Sequence, residues 1–474
     1  MKLAELQQAG RSPDLPQVLP LAGGALELQG WLRVLPGQRY VARALWNGRV
    51  VLAKLFVGAK AQRHLERERR GAKLLIEQGM TTPALVAEGA QGGEGGWLLF
   101  DYLEGATSLG EAWSHLANEP MLSEAQQAIL AEALGAVAAL HAKGLWQADL
   151  HLDNLLRQGD RLWLIDGGGV QAELPGSALG RERVLENLGL FFAQLPSAID
   201  PFIEELLVHY LLINAEHALP LELLQHEVGR ARKRRWKDFH GKLGRDCTLF
   251  SVSRDALGLR AVVRSEEATL APLLSDPDAA IAGGVALKRG GSATVAGVEV
   301  AGRRLVVKRY NIKGVGHWLR RFWRPSRAWH SWVEGHRLNF LGIASPRPLA
   351  VIERRWFGLR SRSYLVTDYA DGQDLLTLLA PYQDGAPPED VLQALERLFS
   401  GFLRERISHG DLKGTNLLWL EGRLMLIDLD AARHHDDDRR FAEAYRRDRA
   451  RLLRNWPADS VLHRLLDARL PTLT

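Results

Sequence analysis

The sequence predicts an α+β protein built as two tandem domains, residues 20–275 and 276–474, each with a small β-rich N-lobe and a mostly helical C-lobe. Three observations carry that expectation: a length of 474 residues, a hydrophobic share of 46%, and an internal repeat. Single cores rarely grow beyond about 250–300 residues, so the length calls for two or three domains. A hydrophobic share this high excludes a disordered chain, which could not bury enough apolar surface to offset its conformational entropy.

The repeat fixes the number at two. Asn154-Leu155-Leu156 through Leu164-Ile165-Asp166 recurs without a gap as Asn416-Leu417-Leu418 through Leu426-Ile427-Asp428. An aspartate, Asp149 or Asp411, stands at the same distance before each asparagine. Upstream, Leu98-Leu99-Phe100-Asp101-Tyr102 parallels Leu365-Val366-Thr367-Asp368-Tyr369, and Gly105 parallels Gly372. Further upstream, Gly37, Val41, Gly48 and Lys54 align on Gly291, Val295, Gly302 and Lys308. The period is far longer than a solenoid repeat, so each copy should hold its own core.

Within each copy the elements follow one order. Strands at Arg49–Phe56 and Arg303–Tyr310 are expected from their Val, Leu and Tyr content. A helix follows, ending near Gly79 or Gly342, with Pro83 or Pro346 just beyond as a stop. Another strand leads to Asp101 or Asp368, and the remainder reads as helical around a short strand pair. Ser275-Asp276-Pro277-Asp278 is expected to be the linker.

The chemistry-bearing residues come in a fixed order: a strand lysine, a helix glutamate, Asp-x-x-x-x-Asn, then an apolar strand ending in aspartate. This is the order of a kinase-like phosphotransferase. A lysine fixed by an ion pair holds the α- and β-phosphates, and the loop aspartate orients the acceptor hydroxyl or accepts its proton. The asparagine and the last aspartate supply oxygens to Mg²⁺. In the second copy the set is Lys308, Glu334, Asp411, Asn416 and Asp428; in the first it is Lys54, Glu68 (or Glu66), Asp149, Asn154 and Asp166. Each element alone is common: Asp and Asn cap turns, and helix glutamates are mostly surface charge. Their ordered recurrence is what carries the reading.

His409-Gly410-Asp411-Leu412-Lys413-Gly414-Thr415-Asn416 and Ile427-Asp428-Leu429-Asp430 resemble the lipopolysaccharide core kinases of Gram-negative bacteria. So do Lys308-Arg309-Tyr310-Asn311, the block Arg320-Arg321-Phe322-Trp323-Arg324-Pro325-Ser326-Arg327-Ala328-Trp329, and Gly342-Ile343-Ala344-Ser345-Pro346-Arg347-Pro348. The resemblance covers roughly residues 285–435. It implies a protein-kinase-like fold, ATP and Mg²⁺ as cofactors, and an inner-core sugar, heptose or Kdo, of the lipopolysaccharide core glycolipid as acceptor. It also implies action at the cytoplasmic face of the inner membrane. The first copy is less typical, with Asp149-Leu150-His151-Leu152-Asp153-Asn154 similar to the loop of small-molecule kinases. Gln147 stands where the second copy has His409, and Asp166-Gly167-Gly168-Gly169 reads as a flexible metal loop. Neither copy has a full G-x-G-x-x-G loop; Gly290-Gly291-Ser292 and Pro36-Gly37-Gln38 are partial substitutes.

The segment after Asp428 is short and has no Ala-Pro-Glu, so a glycan acceptor is expected rather than a protein. A catalytically impaired scaffold in envelope biogenesis and a protein kinase are the alternative readings. Net charge is only +5, from 61 basic and 56 acidic residues, so nucleic acid is not expected as a partner. The basic residues are nevertheless clustered with aromatics. One cluster holds Arg230, Arg232, Lys233, Arg234, Arg235, Lys237, Lys242 and Arg245 around Trp236 and Phe239. The other holds Arg320, Arg321, Arg324 and Arg327 with Trp318, Phe322, Trp323, Trp329 and Trp332. They read either as helix faces with inward-packed aromatics or as contacts to an anionic glycolipid and the membrane surface. The chain has one cysteine, Cys247, hence no intrachain disulfide and no cysteine zinc site. His434-His435-Asp436-Asp437-Asp438 is expected at the start of a helix running from Arg439 to Trp456, where carboxylates favour the N-terminus, and not at a second metal. No apolar run is long enough for a membrane span, and no signal-peptide core follows Met1. The chain is therefore expected in the cytoplasm, peripheral at the inner membrane.

Overall fold

Alternating burial along Arg39–Trp46 and near-complete burial of the last residues of Arg49–Phe56 place the first sheet's core. A computed structural model of the chain describes residues 2–11, 13–93, 95–116, 119–311, 326–356 and 359–473. The chain is mixed α+β and divides into two compact units, Met1–Lys233 and Arg234–Thr474.

The first unit opens on a six-stranded antiparallel sheet. Its strands are β1 (Gln17–Leu21), β2 (Gly24–Leu35), β3 (Arg39–Trp46), β4 (Arg49–Phe56), β5 (Leu85–Gln91) and β6 (Gly95–Asp101), ordered β1-β2-β3-β4-β6-β5. The β3–β4 turn, Asn47-Gly48, has positive φ at both residues, the backbone that suits a two-residue hairpin. Leu3, Leu6 and Leu19 are fully buried against this sheet, so the unit begins well before the expected residue 20. Helix α1 (Ala61–Glu77) buries Leu65, Glu68, Ala72 and Leu75, a stripe at helical spacing. A carboxylate in that stripe is the exception that marks the site. The helices Glu124–Ala142, Arg181–Phe192 and Ile203–Leu211 enclose a separate core that includes Leu134, Leu188 and Leu206.

The second unit has a seven-stranded sheet. Its strands are β7 (Phe250–Asp255), β8 (Gly258–Val263), β9 (Val285–Arg289), β10 (Ala293–Val300), β11 (Arg303–Tyr310), β12 (Pro348–Trp356) and β13 (Leu359–Asp368), ordered β7-β8-β12-β13-β11-β10-β9. Helix α2 (Arg327–Phe340) packs beside it, and the helices Glu389–Glu405, α3 (Asp438–Leu453) and Val461–Arg469 enclose the helical core.

The repeat is visible in register. Val41 pairs with Lys54 and Lys54 with Leu98; Val295 pairs with Lys308 and Lys308 with Leu365. The strand pairs around each Asn…Asp block are Leu155–Gln158 with Arg161–Leu164, and Leu417–Leu420 with Arg423–Leu426.

The expected boundary at 275/276 is displaced. Strand β8 pairs with β12 through Leu259↔Glu353 and Ala261↔Val351, so the hairpin Phe250–Val263 belongs to the second sheet. The division falls instead at Lys233/Arg234, inside the helix Leu221–Lys242. Ser275-Asp276-Pro277-Asp278 is not a linker. Asp276 caps the helix Pro277–Gly283 by accepting a hydrogen bond from Ala279 N, and the proline sits where a first helical turn tolerates it. Asp278 then pairs with Arg309 and Arg362 and accepts a hydrogen bond from the Tyr364 hydroxyl. No described helix is long and apolar enough to cross a membrane.

Candidate active site

In the second unit, β11 delivers Lys308 to a cleft of about 550 Å³ that also contains Asn416, Asp428 and Asp430. Lys308 Nζ lies 2.5 Å from Asp428 Oδ1 and 2.8 Å from Asp430 Oδ1. Asp428 follows the strand Arg423–Leu426 and sits at φ +61°, a left-handed backbone uncommon for a residue with a side chain. His409 Nε2 bonds the Ile427 carbonyl at 2.9 Å, and its Nδ1 accepts from Asp411 N at 3.4 Å. Those two bonds select the Nε2–H tautomer. The Asn416 amide donates to the Asp411 carbonyl at 2.9 Å, leaving its side-chain oxygen as a further donor atom toward a cation. The Asp411 carboxylate faces Arg451 Nε at 3.3 Å and Lys413 Nζ at 3.5 Å.

Glu334 is the one expected group that does not join this set. Helix α2 turns Arg327, Ser331 and Gly335 toward the cleft. One residue is about 100° of helix rotation, so Glu334 lies off that face, paired with Arg337 at 3.1 Å. Burial pushes its carboxyl up, against the pull of Arg337. The lysine's second carboxylate comes from Asp430, which also accepts from Tyr310 (2.7 Å) and Ser331 (2.9 Å) and pairs with Arg327. Burial alone would raise Asp430, but Lys308 and the hydrogen bonds from Lys308 and Tyr310 outweigh it and hold the carboxyl at about 2.

In the first unit the pair is made from the helix. Lys54 is bonded to Glu68 on α1 and lies 3.3 Å from Asp166. Glu66, the other candidate, points outward to Arg69 at 2.7 Å. Burial alone would lower Lys54, but the Glu68 and Asp166 charges outweigh it and raise the ammonium above its usual range. Asp166 takes φ +65°, matching Asp428.

The Asp-Gly-Gly-Gly sequence is tightly packed, not a flexible loop. A Cβ on Gly168 would lie 2.5 Å from Glu68 Oε2, and one on Gly169 would lie 1.9 Å from Asp149 Oδ1. Gly168 is the counterpart of Asp430, so besides Asp166 or Asp428 each lysine has one further carboxylate, Glu68 from the helix in the first unit and Asp430 from the loop in the second. Gln147 replaces the function of His409: its amide donates to the Ile165 and Asp166 carbonyls, both at 3.0 Å. Asn154 donates to the Asp149 carbonyl at 3.1 Å, as Asn416 does to Asp411. Burial raises the Asp149 carboxyl, and the Asp166 charge adds to the shift.

A sequence profile described as the lipopolysaccharide kinase (Kdo/WaaP) family matches residues 41–188 and 280–464, spanning both lysine-to-aspartate sets. The chain belongs to the lipopolysaccharide kinase (Kdo/WaaP) family. Among solved structures, it is similar to one described as WaaP in complex with acyl carrier protein. The identity is 21%, the match covers 44% of this chain and 89% of that one, and the TM-score is 0.34. No curated protein matches the chain.

Phosphoryl transfer commonly uses a cation beside the phosphates, and the oxygens here suit one. Asp428, Asp430 and Asn416 bring hard oxygens to one cleft. The described residues contain no cluster of three or more His, Cys, Asp or Glu able to hold a metal by themselves. Mg²⁺ does not require one, because it is commonly held by one or two carboxylates together with substrate phosphates and water.

The basic clusters divide. Arg232 makes two hydrogen bonds to Asp200, at 2.8 and 3.0 Å, and Arg230 pairs with Glu227 and Glu186. Trp236 and Phe239 pack against Phe340, with Arg337 over the Trp236 ring at 4.5 Å. These residues behave as a helix face with inward aromatics. In the second cluster, Trp318, Arg320, Arg321, Phe322, Trp323 and Arg324 lie outside the described residues. Arg327 is committed to Asp430, and Trp332 is fully buried.

Two features of the site escaped the sequence reading. Asp448 on α3, 2% exposed, accepts hydrogen bonds from the backbone amides of His409 (2.5 Å) and Gly410 (2.9 Å), anchoring the loop before Asp411. Its helix starts at the Asp437 cap, as expected, and ends at Leu453, three residues before Trp456. The same helix carries Arg440, Arg447 and Arg451, with Arg454 at its C-cap, a stripe legible in the sequence as a 3/4-residue periodicity.

Proposed function

We propose that the chain is an ATP-dependent phosphotransferase that adds phosphate to a sugar of the lipopolysaccharide inner core, heptose or Kdo, using two tandem protein-kinase-like domains. The observation that carries this reading is the convergence of Lys308, Asn416 and Asp428 on one cleft, with Asp411 tied to Asn416 at its edge, within a chain of this family. In the second unit, the apolar walls Val295, Val306 and Leu418 would sandwich the nucleotide base, and Lys308 would hold the α- and β-phosphates. Asn416 and Asp428 would hold Mg²⁺, which supplies charge neutralisation across the β- and γ-phosphates.

Asp411 orients the acceptor hydroxyl and takes its proton as the hydroxyl oxygen bonds to the γ-phosphorus. The bond from phosphorus to the β–γ bridging oxygen breaks, and ADP leaves. Arg451 and Lys413 pair with the Asp411 carboxylate and fix its position for that role. Lys54, Glu68, Asp149, Asn154 and Asp166 are assigned the same functions in the first unit. There Gln147 bonds the Ile165 carbonyl as His409 bonds that of Ile427, and adds a bond to the Asp166 carbonyl. The enzyme would act peripherally at the inner face of the inner membrane, where its glycolipid acceptor is presented.

The test is transfer of the γ-phosphate of ATP to purified lipopolysaccharide. Asp411→Ala should lower transfer by the second unit about 10²–10⁴-fold, and Asp428→Ala should abolish it. Undiminished transfer in both variants and in Asp149→Ala would overturn the reading.

A further inference from the structure

Behind the catalytic loop of the second unit lies a groove of about 610 Å³, apart from the nucleotide cleft. Its walls are the loop backbone at Gly410, the segment around Arg433 and His435, and one face of α3 and the turn beyond it. Four arginines line it: Arg433, Arg447, Arg451 and Arg454. Asp448 pins α3 to the loop through the His409 and Gly410 amides, so the guanidinium stripe is held at a fixed distance from Asp411. Arg451 Nε reaches the Asp411 carboxylate at 3.3 Å, which places the mouth of the groove at the catalytic oxygen.

Among the described residues, one guanidinium of this groove, that of Arg451, is met by a carboxylate, that of Asp411. Several other arginines of the unit are matched: Arg303 and Arg347 to Glu266 and Asp368, Arg469 to Glu389 and Glu396. Among the described residues, neither Arg447 nor Arg454 has a carboxylate within ion-pairing distance, and the buried Asp448 is occupied by backbone amides. His435 does not add a positive charge at neutral pH, because burial and the neighbouring Arg433, Arg406 and Arg447 hold it below the usual imidazole range. Like charges gathered beside one another cost free energy unless an anion joins them. Arginine forks suit the geometry of a phosphate or carboxylate, which they bind through paired hydrogen bonds.

We propose that this groove is the acceptor subsite of the second unit and that it binds a phosphate or carboxylate already present on the acceptor sugar chain, next to the hydroxyl to be phosphorylated. This rests on the phosphotransferase reading and adds the acceptor's chemical class: an anionic glycan, recognised through its own charge. Asp411 stands between nucleotide cleft and groove, as an in-line transfer requires of the residue that meets the incoming hydroxyl. Arg447 and Arg454 position the acceptor, and Arg451 orients Asp411 at the mouth of the groove.

The test compares the full chain with its Arg447→Gln/Arg454→Gln variant. Three acceptors are used: intact lipopolysaccharide, its deacylated core oligosaccharide, and that oligosaccharide after dephosphorylation and carboxyl reduction. A lost pair of charge-assisted hydrogen bonds is worth about 1.5–3 kcal/mol, so KM for the charged oligosaccharide should rise on the order of 10- to 100-fold. Nucleotide affinity should stay unchanged, and the difference should vanish with the uncharged acceptor. Arg447→Lys should recover part of the loss, and inorganic phosphate should compete with acceptor in the wild type more strongly than in the variant. An unchanged KM for the charged oligosaccharide in a folded variant would overturn the subsite while leaving the phosphotransferase reading intact. A loss seen only on phosphatidylglycerol vesicles carrying lipopolysaccharide would assign the arginines to lipid head groups and overturn it too. If the wild type transfers no phosphate to any acceptor, the phosphotransferase reading fails. Direct titration with inorganic phosphate then decides the groove separately: weaker binding in the variant supports an anion site, and equal binding overturns it.

Discussion

Lys308 Nζ lies 2.8 Å from Asp430 Oδ1, so the second unit takes the lysine's second carboxylate from the loop after Asp428 and not from helix α2. Asp430 is partly buried, with a carboxyl held at about 2 against about 3.9 for a free carboxylate. A depressed carboxyl stabilises the fold fully above about pH 4, and that contribution is lost as pH falls toward 2. Its size is about 2 kcal/mol. Denaturant unfolding of wild type and Asp430→Asn should therefore differ at neutral pH by about that amount or more, and converge near pH 2. A gap that stays constant across this window would argue against the pair.

The first unit reaches the same end from the helix, with Gly168 leaving the room that Glu68 fills. Gly168→Asp should place two carboxylates on one spot and destabilise the unit by about 1–3 kcal/mol. Adding Glu68→Ser should recover part of that loss, because the carboxylate would then sit as Asp430 does beside Ser331. Thermal unfolding and nucleotide titration of single and double variants check both parts. Independent, additive losses would contradict the exchange.

Gln147 holds the Ile165 and Asp166 carbonyls of the first unit. Gln147→Ala should cost about 1–3 kcal/mol by leaving buried acceptors unmet, whereas Gln147→His should be better tolerated, since His409 makes one of those bonds in the second unit. The order of the two unfolding midpoints is the readout.

His141 is fully buried between the Tyr210 hydroxyl (3.0 Å) and Asn187 Oδ1 (3.0 Å), and burial lowers it to about 4 despite the Asn187 hydrogen bond. The unfolded chain binds its proton near pH 6.5, so between about 6.5 and 4 the unfolded state holds more protons and stability drops as pH is lowered. His141 contributes about 3 kcal/mol above pH 6.5 that is lost by pH 4. Denaturant unfolding should show that slope in wild type and a shallower one in His141→Gln.

Strands Arg49–Phe56 and Arg303–Tyr310 were legible to the residue because their Val, Leu and Tyr content favours extended backbone. The loop aspartates and asparagines were legible because the repeat states them twice. The glutamate of the second unit was not. Glu334 lies one position from the cleft face of α2, and only the packed helix reveals which face meets Lys308. The division at Lys233/Arg234 was hidden because the hairpin Phe250–Val263 precedes the repeat yet pairs with β12, a long-range choice with no local signal. The Asp-Gly-Gly-Gly loop read as flexible because sequence does not show the carboxylates that fill the space a side chain would take.

The most direct test of the central claim is mass analysis of core oligosaccharide from cells with and without the gene. The proposed phosphotransferase predicts that deletion removes the mass of at least one phosphate from the inner core, and that a copy carrying both Asp149→Ala and Asp411→Ala fails to restore it. An unchanged phosphate pattern in the deletion strain, or full restoration by the doubly substituted copy, would contradict the account.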